Sequence, residues 1–70
     1  MENTVAQRRV QHGWSQWTLA DRLGVSRQSV ISIERGRYSP SLPLAFKLAQ
    51  LFECRIEDLF TPEPWQPQRR

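Results

Sequence analysis

The segment from Gln16 to Arg35 constrains the fold most, because it places a small residue, a glycine and a serine between two amphipathic stretches. Ala20 is small enough for a following helix to pack against it, and Gly24 supplies the positive φ of a tight turn. Ser26 is a preferred residue at the start of a helix. The apolar residues around them have helical spacing; they are Leu19, Leu23, Val25, Val30 and Ile33. The segment therefore predicts two helices that cross steeply through a tight turn.

Similar signals divide the rest of the chain. Gly13, Gly24 and Gly36 each follow a stretch with helical spacing, as glycines that end helices do. Asn3 or Thr4 precedes the first stretch, and serines 15, 26 and 41 precede the next three. We therefore predict an all-α fold with helices near residues 4–12, 16–23, 27–35, 42–52 and 56–60, and no strand. Three prolines between residues 61 and 67 predict an extended arm over residues 61–70, after a domain of residues 1–60.

Composition excludes several classes of protein. One cysteine allows no internal disulfide, and one cysteine with one histidine supplies too few ligands for a structural zinc site. No glycine-rich phosphate loop, carboxylate cluster or paired nucleophile and base is visible, so we expect no enzyme activity, no metal and no cofactor. Apolar runs never exceed three residues, so we expect no membrane span and a cytoplasmic protein.

The charge is unevenly distributed. Ten Lys and Arg residues against seven Asp and Glu residues give a net charge of +3. Residues 1–40 have six basic and three acidic groups, whereas residues 41–70 have four of each. A basic first half indicates a face for a polyanion, and a neutral second half indicates a face for packing or for a partner. An ordinary solvated surface stays open as the alternative.

Three runs of sequence resemble a known family. They are Gly13 to Gln16 (GWSQ), Leu19 to Val30 (LADRLGVSRQSV) and Ile33 to Leu42 (IERGRYSPSL). With them the chain resembles the lambda-repressor-like helix-turn-helix family from about residue 5 to residue 60, and in particular the small Cro/C1 or XRE-type transcriptional regulators. The resemblance implies a five-helix domain, a helix-turn-helix motif over residues 16–35, and binding to double-stranded operator DNA as a homodimer, as a repressor.

The tail after the last helix carries a narrower resemblance. With Trp65-Gln66-Pro67 it is similar to the tail of repressors of the cytolysin-operon type, in which the tail pairs with the N-terminus in a small sheet. The family pattern is broken at Arg8 where an apolar residue is usual, at Glu53 in place of a glycine, and at Arg55 in place of a Ser or Thr cap. We therefore expect the corner between the last two helices to be loose.

The third helix is the candidate for reading bases. At 100° per residue, Val30, Ile33 and Glu34 point to one side of the helix. The other side contains Gln28, Ile31, Ser32 and Arg35, and Arg27 lies with Gln28 at the end that enters the major groove in this motif. Arg pairs with guanine, Gln pairs with adenine, and an apolar side chain contacts a thymine methyl group. We expect base reading by Arg27, Gln28, Ile31 and Ser32.

The resemblance also implies phosphate contacts and one ion pair. The first turn of the second helix, at Gln16, offers unpaired N–H groups and the positive end of a dipole to a phosphate. Ser29, Arg37 and Tyr38 lie where members of the family contact the DNA backbone, and Arg35 is a further candidate. For Arg35 and Arg37 the alternative interpretation is that they are ordinary solvated charges on the surface. Arg9 and Glu34 lie where the family has a buried ion pair between the first and third helices, with unrelated surface charges as the alternative.

Dimerisation is expected because one helix of about nine residues reads too few base pairs to select a site. The neutral second half has apolar side chains to spare, and we expect the interface at Leu51, Ile56, Leu59, Phe60 and Trp65. The same surplus allows an alternative function, an antitoxin-type module whose apolar second half binds a partner protein. Regulation is expected through the concentration of the chain itself or through a protein antagonist.

Overall fold

The computed structural model describes residues 1–62, which form five helices and a two-stranded sheet. The helices are α1 (Val5–Gln11), α2 (Gln16–Leu23), α3 (Arg27–Glu34), α4 (Leu42–Leu51) and α5 (Ile56–Leu59). The strands are β1 (Glu2–Asn3) and β2 (Phe60–Thr61). The mostly helical fold is confirmed, and each helix begins and ends within one residue of its predicted bounds.

Serine side chains begin three of the helices. The hydroxyl oxygens of Ser15, Ser26 and Ser41 accept hydrogen bonds from backbone N–H groups three residues later, at 3.0, 3.2 and 3.3 Å. Gly24 ends α2 with a φ of +75°, a conformation that costs other residues free energy. The turn between α2 and α3 is therefore fixed at both ends by local chemistry, as predicted.

The core forms where α2 packs against α3 and α4 and where α4 packs against α5, and Val5 of α1 is also buried in it. Leu19 and Leu48 are fully buried, and Val30 and Ile33 are each only 1% exposed. Leu59 and Phe60 also belong to this core, at 1% and 6% exposure. The dimer prediction is therefore wrong at these two residues, because the chain buries both side chains against itself.

A short sheet joins the beginning of the chain to the end of α5. β1 and β2 are antiparallel, with Glu2 opposite Thr61 and Asn3 opposite Phe60. The Thr4 N–H donates to the Leu59 carbonyl at 2.8 Å, next to this pair. The spacing of residues predicted no strand, because two residues are too few to show an alternating pattern; only the resemblance of the tail to the cytolysin-operon type implied a small sheet with the N-terminus. Thr61 thus lies in a strand; the rest of the predicted arm from residue 63, with Trp65, lies outside the described residues.

The corner between α4 and α5 accommodates both departures from the family pattern. Glu53 takes the left-handed conformation of the usual glycine, with a φ of +54°. The Asp58 carboxylate supplies the reciprocal bond of a capping box, because it accepts a hydrogen bond from the Arg55 N–H at 3.1 Å. A second, longer bond of 3.4 Å comes from the Arg55 guanidinium. The corner thus has a carboxylate bonded to the N-cap residue of α5, although no hydroxyl caps the first turn of that helix. Within residues 1–62, every helix is too short or too polar to cross a membrane.

Candidate nucleic-acid interface

Helix α3 has one buried face and one polar face. Val30 and Ile33 anchor it in the core, as the 100° spacing predicts. At its first turn the side chains of Arg27 and Gln28 are exposed, and the Ser26 cap holds the backbone of that turn. Further along the same helix, Ile31 and Ser32 are half-buried. The structure therefore brings the four residues predicted to read bases together on one short helix.

The residues predicted to contact phosphate surround this helix. Ser29 lies in its first turn, where its hydroxyl oxygen is 3.1 Å from that of Ser26. Arg35 directly follows the last residue of α3, and Arg37 lies two residues further; both are exposed. Tyr38 comes next, with 46% of its surface exposed. Exposed Arg27, Arg35 and Arg37 thus bracket α3 with positive charge at both ends.

An ion pair ties α3 to α1. The Arg9 Nε donates to the Glu34 carboxylate at 2.6 Å, and the Arg9 Nη1 donates to the Trp14 carbonyl at 2.9 Å. The side chains of Arg9 and Glu34 are only 15% and 7% exposed. The expected pair is therefore present in the structure, and it is largely shielded from water.

Gln16 belongs to the same network. Its Nε2 donates to the Glu34 Oε1 at 3.1 Å, so its side chain faces the ion pair rather than the solvent. A phosphate contact at this position would have to come from the backbone N–H groups at the beginning of α2. Glu34 thus receives hydrogen bonds from α1 and α2 at once, and this joins three helices at one carboxylate.

Trp17 lies beside the polar face of α3 and was not among the predicted site residues. Its ring is 68% exposed, and the Arg27 Cζ lies 5.2 Å from its centroid. The sequence contained a signal, because at 100° per residue Trp17 falls outside the stripe formed by Leu19 and Leu23. A large aromatic residue off the buried stripe of a helix is a candidate for contact with a ligand.

The surface beside this site offers no place for a metal ion. Within the described part of the chain, no three His, Cys, Asp or Glu residues lie close enough to hold one.

An open depression of about 500 Å³ lies between α2 and the start of α3. It is lined by Trp17, Asp21, Val25, Arg27 and Gln28. Its shape and its exposed arginine suit the surface of a polyanion better than an enclosed small molecule.

The predicted dimer residues do not form one surface. Leu59 and Phe60 are buried, Leu51 and Ile56 are half-buried against the core, and Trp65 lies outside the described residues. A different apolar surface is present on α4, where Leu42 is 65% exposed and Phe46 is 52% exposed. Phe46 and Ile56 line a groove of about 530 Å³ whose rim includes Glu53, Arg55 and Glu57.

Comparison of sequences places most of the chain beside known regulators. A family model described as Helix-turn-helix matches residues 5–59. An uncharacterized HTH-type transcriptional regulator of Methanocaldococcus jannaschii is 51% identical over 63 residues, which cover 90% of this chain and 96% of that protein. The uncharacterized HTH-type transcriptional regulator YgzD of Bacillus subtilis is 45% identical over 60 residues, which cover 86% of this chain and 91% of that protein.

Comparison with solved structures also finds regulatory proteins with a similar fold. The restriction-modification controller protein C.AhdI from Aeromonas hydrophila superposes with a TM-score of 0.71 and 36% identity, over 80% of this chain and 85% of that one. A hypothetical transcription factor, NHTF, from Neisseria superposes with a TM-score of 0.70 and 31% identity over 77% of this chain. This second match covers 61% of the Neisseria chain.

Proposed function

Because this chain belongs to the helix-turn-helix family, we propose that it is a transcriptional regulator that binds double-stranded DNA sequence-specifically in the cytoplasm. In this proposal α3 is the recognition helix, and its first turn enters the major groove. Arg27 and Gln28 read base edges, and Ile31 and Ser32 contribute further along the helix. Ser29, Arg35, Arg37, Tyr38 and the beginning of α2 hold phosphates.

One observation carries the proposal. Helix α3 has a polar face with exposed arginines at both ends, and its opposite face is anchored in the core. Val30 and Ile33 are buried, and Glu34 fixes the end of the helix through hydrogen bonds from Arg9 and Gln16. Base reading requires side chains held in register with base edges, and a helix fixed in this way supplies that register. The side chains of Arg9 and Glu34 are largely buried, so in this proposal their ion pair orients α3 without contacting DNA.

We propose further that the chain acts as a repressor. Repression requires only that the bound protein blocks an overlapping promoter, so it needs no surface beyond the DNA face. A promoter fused to a reporter gene tests whether the chain represses or activates transcription. Expression of the chain should lower the signal from a promoter that contains its selected site, and a raised signal would make it an activator.

The regulator is proposed to bind as a two-fold homodimer through the groove between α4 and α5. Phe46 and Ile56 supply exposed apolar surface there. Glu53, Arg55 and Glu57 also line this groove and would form the polar rim of such an interface. Two recognition helices would then read half-sites about 34 Å apart, which is one turn of DNA.

Selection of bound sequences from a random DNA pool tests DNA reading directly. The proposal expects an enriched pseudo-palindrome, and affinities are then measured at one fixed salt concentration on this site and on random DNA. Arg27→Ala or Gln28→Ala should cost about 1–3 kcal/mol on the selected site and relax the preference at one or two base pairs. No enriched sequence at all would contradict sequence-specific binding.

Two other arginines serve as matched controls. Arg37→Ala should weaken binding to all sequences about equally and make the salt dependence shallower by about one unit of slope, because it removes a phosphate contact. Arg22→Ala removes an exposed charge from α2, away from the recognition helix and from the proposed dimer groove, and should leave the ratio of selected-site to random-site affinity unchanged. A loss of that ratio in Arg22→Ala would show that the assay does not isolate the recognition helix.

The alternative of an antitoxin-type module loses most of its support. It depended on apolar residues of the second half that one small core would leave unused. The core of this chain in fact uses Leu48, Phe52, Leu59 and Phe60. On α4 this leaves Leu42 and Phe46 as the large apolar side chains that stay exposed.

A further inference from the structure

We infer that Trp17 positions Arg27 for base reading, an inference that rests on the DNA-binding function proposed above. Trp17 lies in the first turn of α2, and Arg27 is the first residue of α3. The turn between the two helices brings the guanidinium carbon within 5.2 Å of the indole centroid. At this distance the charge of the guanidinium is attracted to the face of the ring, and we infer that the two planes stack.

Stacking of this kind leaves the hydrogen-bonding edge of an arginine available. The five N–H donors of a guanidinium lie in its plane, whereas the aromatic ring contacts its face. Guanine is recognised through that edge, by two parallel hydrogen bonds to O6 and N7. Arg27 can therefore stay against Trp17 and read a base at the same time.

No acidic side chain competes for that edge. Asp21 lies one turn after Trp17 and lines the same depression. The ion pairs among residues 1–62 use Arg9 and Arg55, so no carboxylate there is within 4.0 Å of the Arg27 guanidinium. The indole thus restricts Arg27 without occupying its donors.

The restriction matters because a free arginine loses much rotamer freedom when it binds a base. Side chains with many rotatable bonds pay the largest entropic penalty on immobilisation, and an ordered free state lowers that penalty. The gain applies most to the base pair that Arg27 reads, since that contact requires one orientation of the guanidinium. Trp17 is therefore expected to sharpen base preference rather than to raise affinity for all DNA.

Binding of Trp17 variants to the selected site and to a site altered at the Arg27-dependent base pair tests this inference. Trp17→Ala should reduce the preference between these two sites about two- to fivefold, the range of an exposed cation–π contact. Affinity for random DNA should stay unchanged, and Trp17→Phe should retain most of the preference because it keeps an aromatic face. An unchanged preference in Trp17→Ala would overturn the inference.

A double-mutant cycle separates positioning from direct contact. In an Arg27→Ala background, Trp17→Ala should have no further effect on base preference or on affinity. An equal loss in both backgrounds would show that Trp17 contacts DNA by itself, which also overturns the inference. Arg22→Ala is the matched control. The Arg22 Cζ, near the end of α2, lies 4.6 Å from the centroid of the Trp14 ring, away from Arg27, so the loss of this contact should not change base preference.

A measurement without DNA distinguishes failure of this inference from failure of the proposed function. The δ-methylene protons of Arg27 should show an upfield ring-current shift in the NMR spectrum of the wild type, and the shift should disappear in Trp17→Ala. Its absence in the wild type would refute the stacking whatever the DNA assays show. Absence of sequence-specific binding by the wild type would instead refute the function. Trp17→Ala should have the same midpoint of thermal unfolding as the wild type, since Trp17 is 68% exposed.

Discussion

Glu34 is the single residue on which the orientation of α3 depends most. It receives hydrogen bonds from Arg9 of α1 and Gln16 of α2, and its side chain is 7% exposed. Glu34→Ala would leave Arg9 as a largely buried charge without a partner, which costs about 3–5 kcal/mol. We expect the midpoint of thermal unfolding to fall by more than about 10 °C for a domain of this size.

Two variants distinguish loss of the charge pair from loss of side-chain volume. Replacing Arg9 and Glu34 together by apolar residues of similar size should destabilise less than Glu34→Ala, because no charge is then left unpaired. Glu34→Gln should be intermediate, since its amide oxygen still accepts one hydrogen bond. If Glu34→Ala melts within about 2 °C of the wild type, the ion pair contributes nothing and the orientation of α3 has another cause.

Glu53 is strained in a way that a glycine would relieve. Its φ of +54° lies in the left-handed region, which costs an ordinary residue about 1–2 kcal/mol. Glycine removes this strain but gains freedom in the unfolded chain, so Glu53→Gly should raise the free energy of unfolding by a net of about 0.5–1 kcal/mol. Urea unfolding measures the change. Glu53→Ala, which removes the charge and keeps the strain, should show no comparable gain.

At the scale of elements, the sequence predicts helix ends better than it predicts packing. Serines before α2, α3 and α4 and the glycine at residue 24 act through hydrogen bonds and dihedral angles of their immediate neighbours. Such signals are local, and a sequence contains all of them. The pairing of β1 with β2 joins residues almost sixty positions apart and leaves no pattern in either two-residue strand.

The short helix α5 shows the same limit for side chains. With four residues it completes hardly more than one turn, so no periodicity shows which of its apolar residues face inward. The structure buries Leu59 and leaves Ile56 half-exposed to the groove, and only tertiary contacts decide this. The residues predicted to read bases lie on α3, as expected, because eight residues give a clear helical phase; their role stays a prediction. Trp17 was missed because its neighbour Arg27 lies on another helix.

Asp58 makes the stability of the α4–α5 corner depend on pH. Hydrogen bonds from the Arg55 N–H and the Arg55 guanidinium lower the pKa of the Asp58 carboxyl group. A lowered pKa means that this contribution is present above the unfolded value, about 3.9, and is lost as the pH falls through the folded value. The advantage of wild type over Asp58→Asn in thermal unfolding should therefore be largest near neutral pH and should shrink below about pH 4.

A carboxylate elsewhere controls for general effects of acid. Asp21 is exposed on α2, and its side chain has no hydrogen bond within the described residues. Asp21→Asn should lose stability with falling pH in parallel with the wild type. An Asp58→Asn curve that also runs parallel from pH 6 to pH 2 would show that the Asp58 cap does not contribute to the stability of the corner.

At the scale of the whole molecule, the chain separates a positively charged face, which we propose binds DNA, from an apolar face. Positive charge brackets α3, whereas Leu42, Phe46 and Ile56 lie on α4 and α5, which pack behind α2. The uneven charge of the sequence predicted this division in outline. Of the residues of the apolar face the sequence predicted only Ile56, since a count of apolar residues does not distinguish those that fill the core from those that cover it.

In the proposed dimer, Ile56 keeps the role that the sequence suggested, whereas Leu59 and Phe60 belong to the core and Phe46 joins the interface. Ile56→Glu places a charge in the half-exposed groove and should give folded monomers, because the core behind it stays intact. Leu59→Glu places a charge at a position that is 1% exposed and should unfold the chain rather than dissociate it. Circular dichroism separates the two outcomes, since only the first variant should keep its helical signal.

Sedimentation equilibrium then tests the dimer itself. Wild-type protein at tens of micromolar should sediment with about twice the chain mass of 8.3 kDa, and Ile56→Glu with that mass alone. The monomeric variant should keep its affinity for random DNA but lose most of its preference for the palindrome, because discrimination by two half-sites is lost with the second copy. Arg27→Ala gives the opposite pattern, an unchanged dimer with relaxed base preference. Wild-type protein that stays at 8.3 kDa would remove the palindrome from the proposal and leave a monomer whose single α3 must read its site alone.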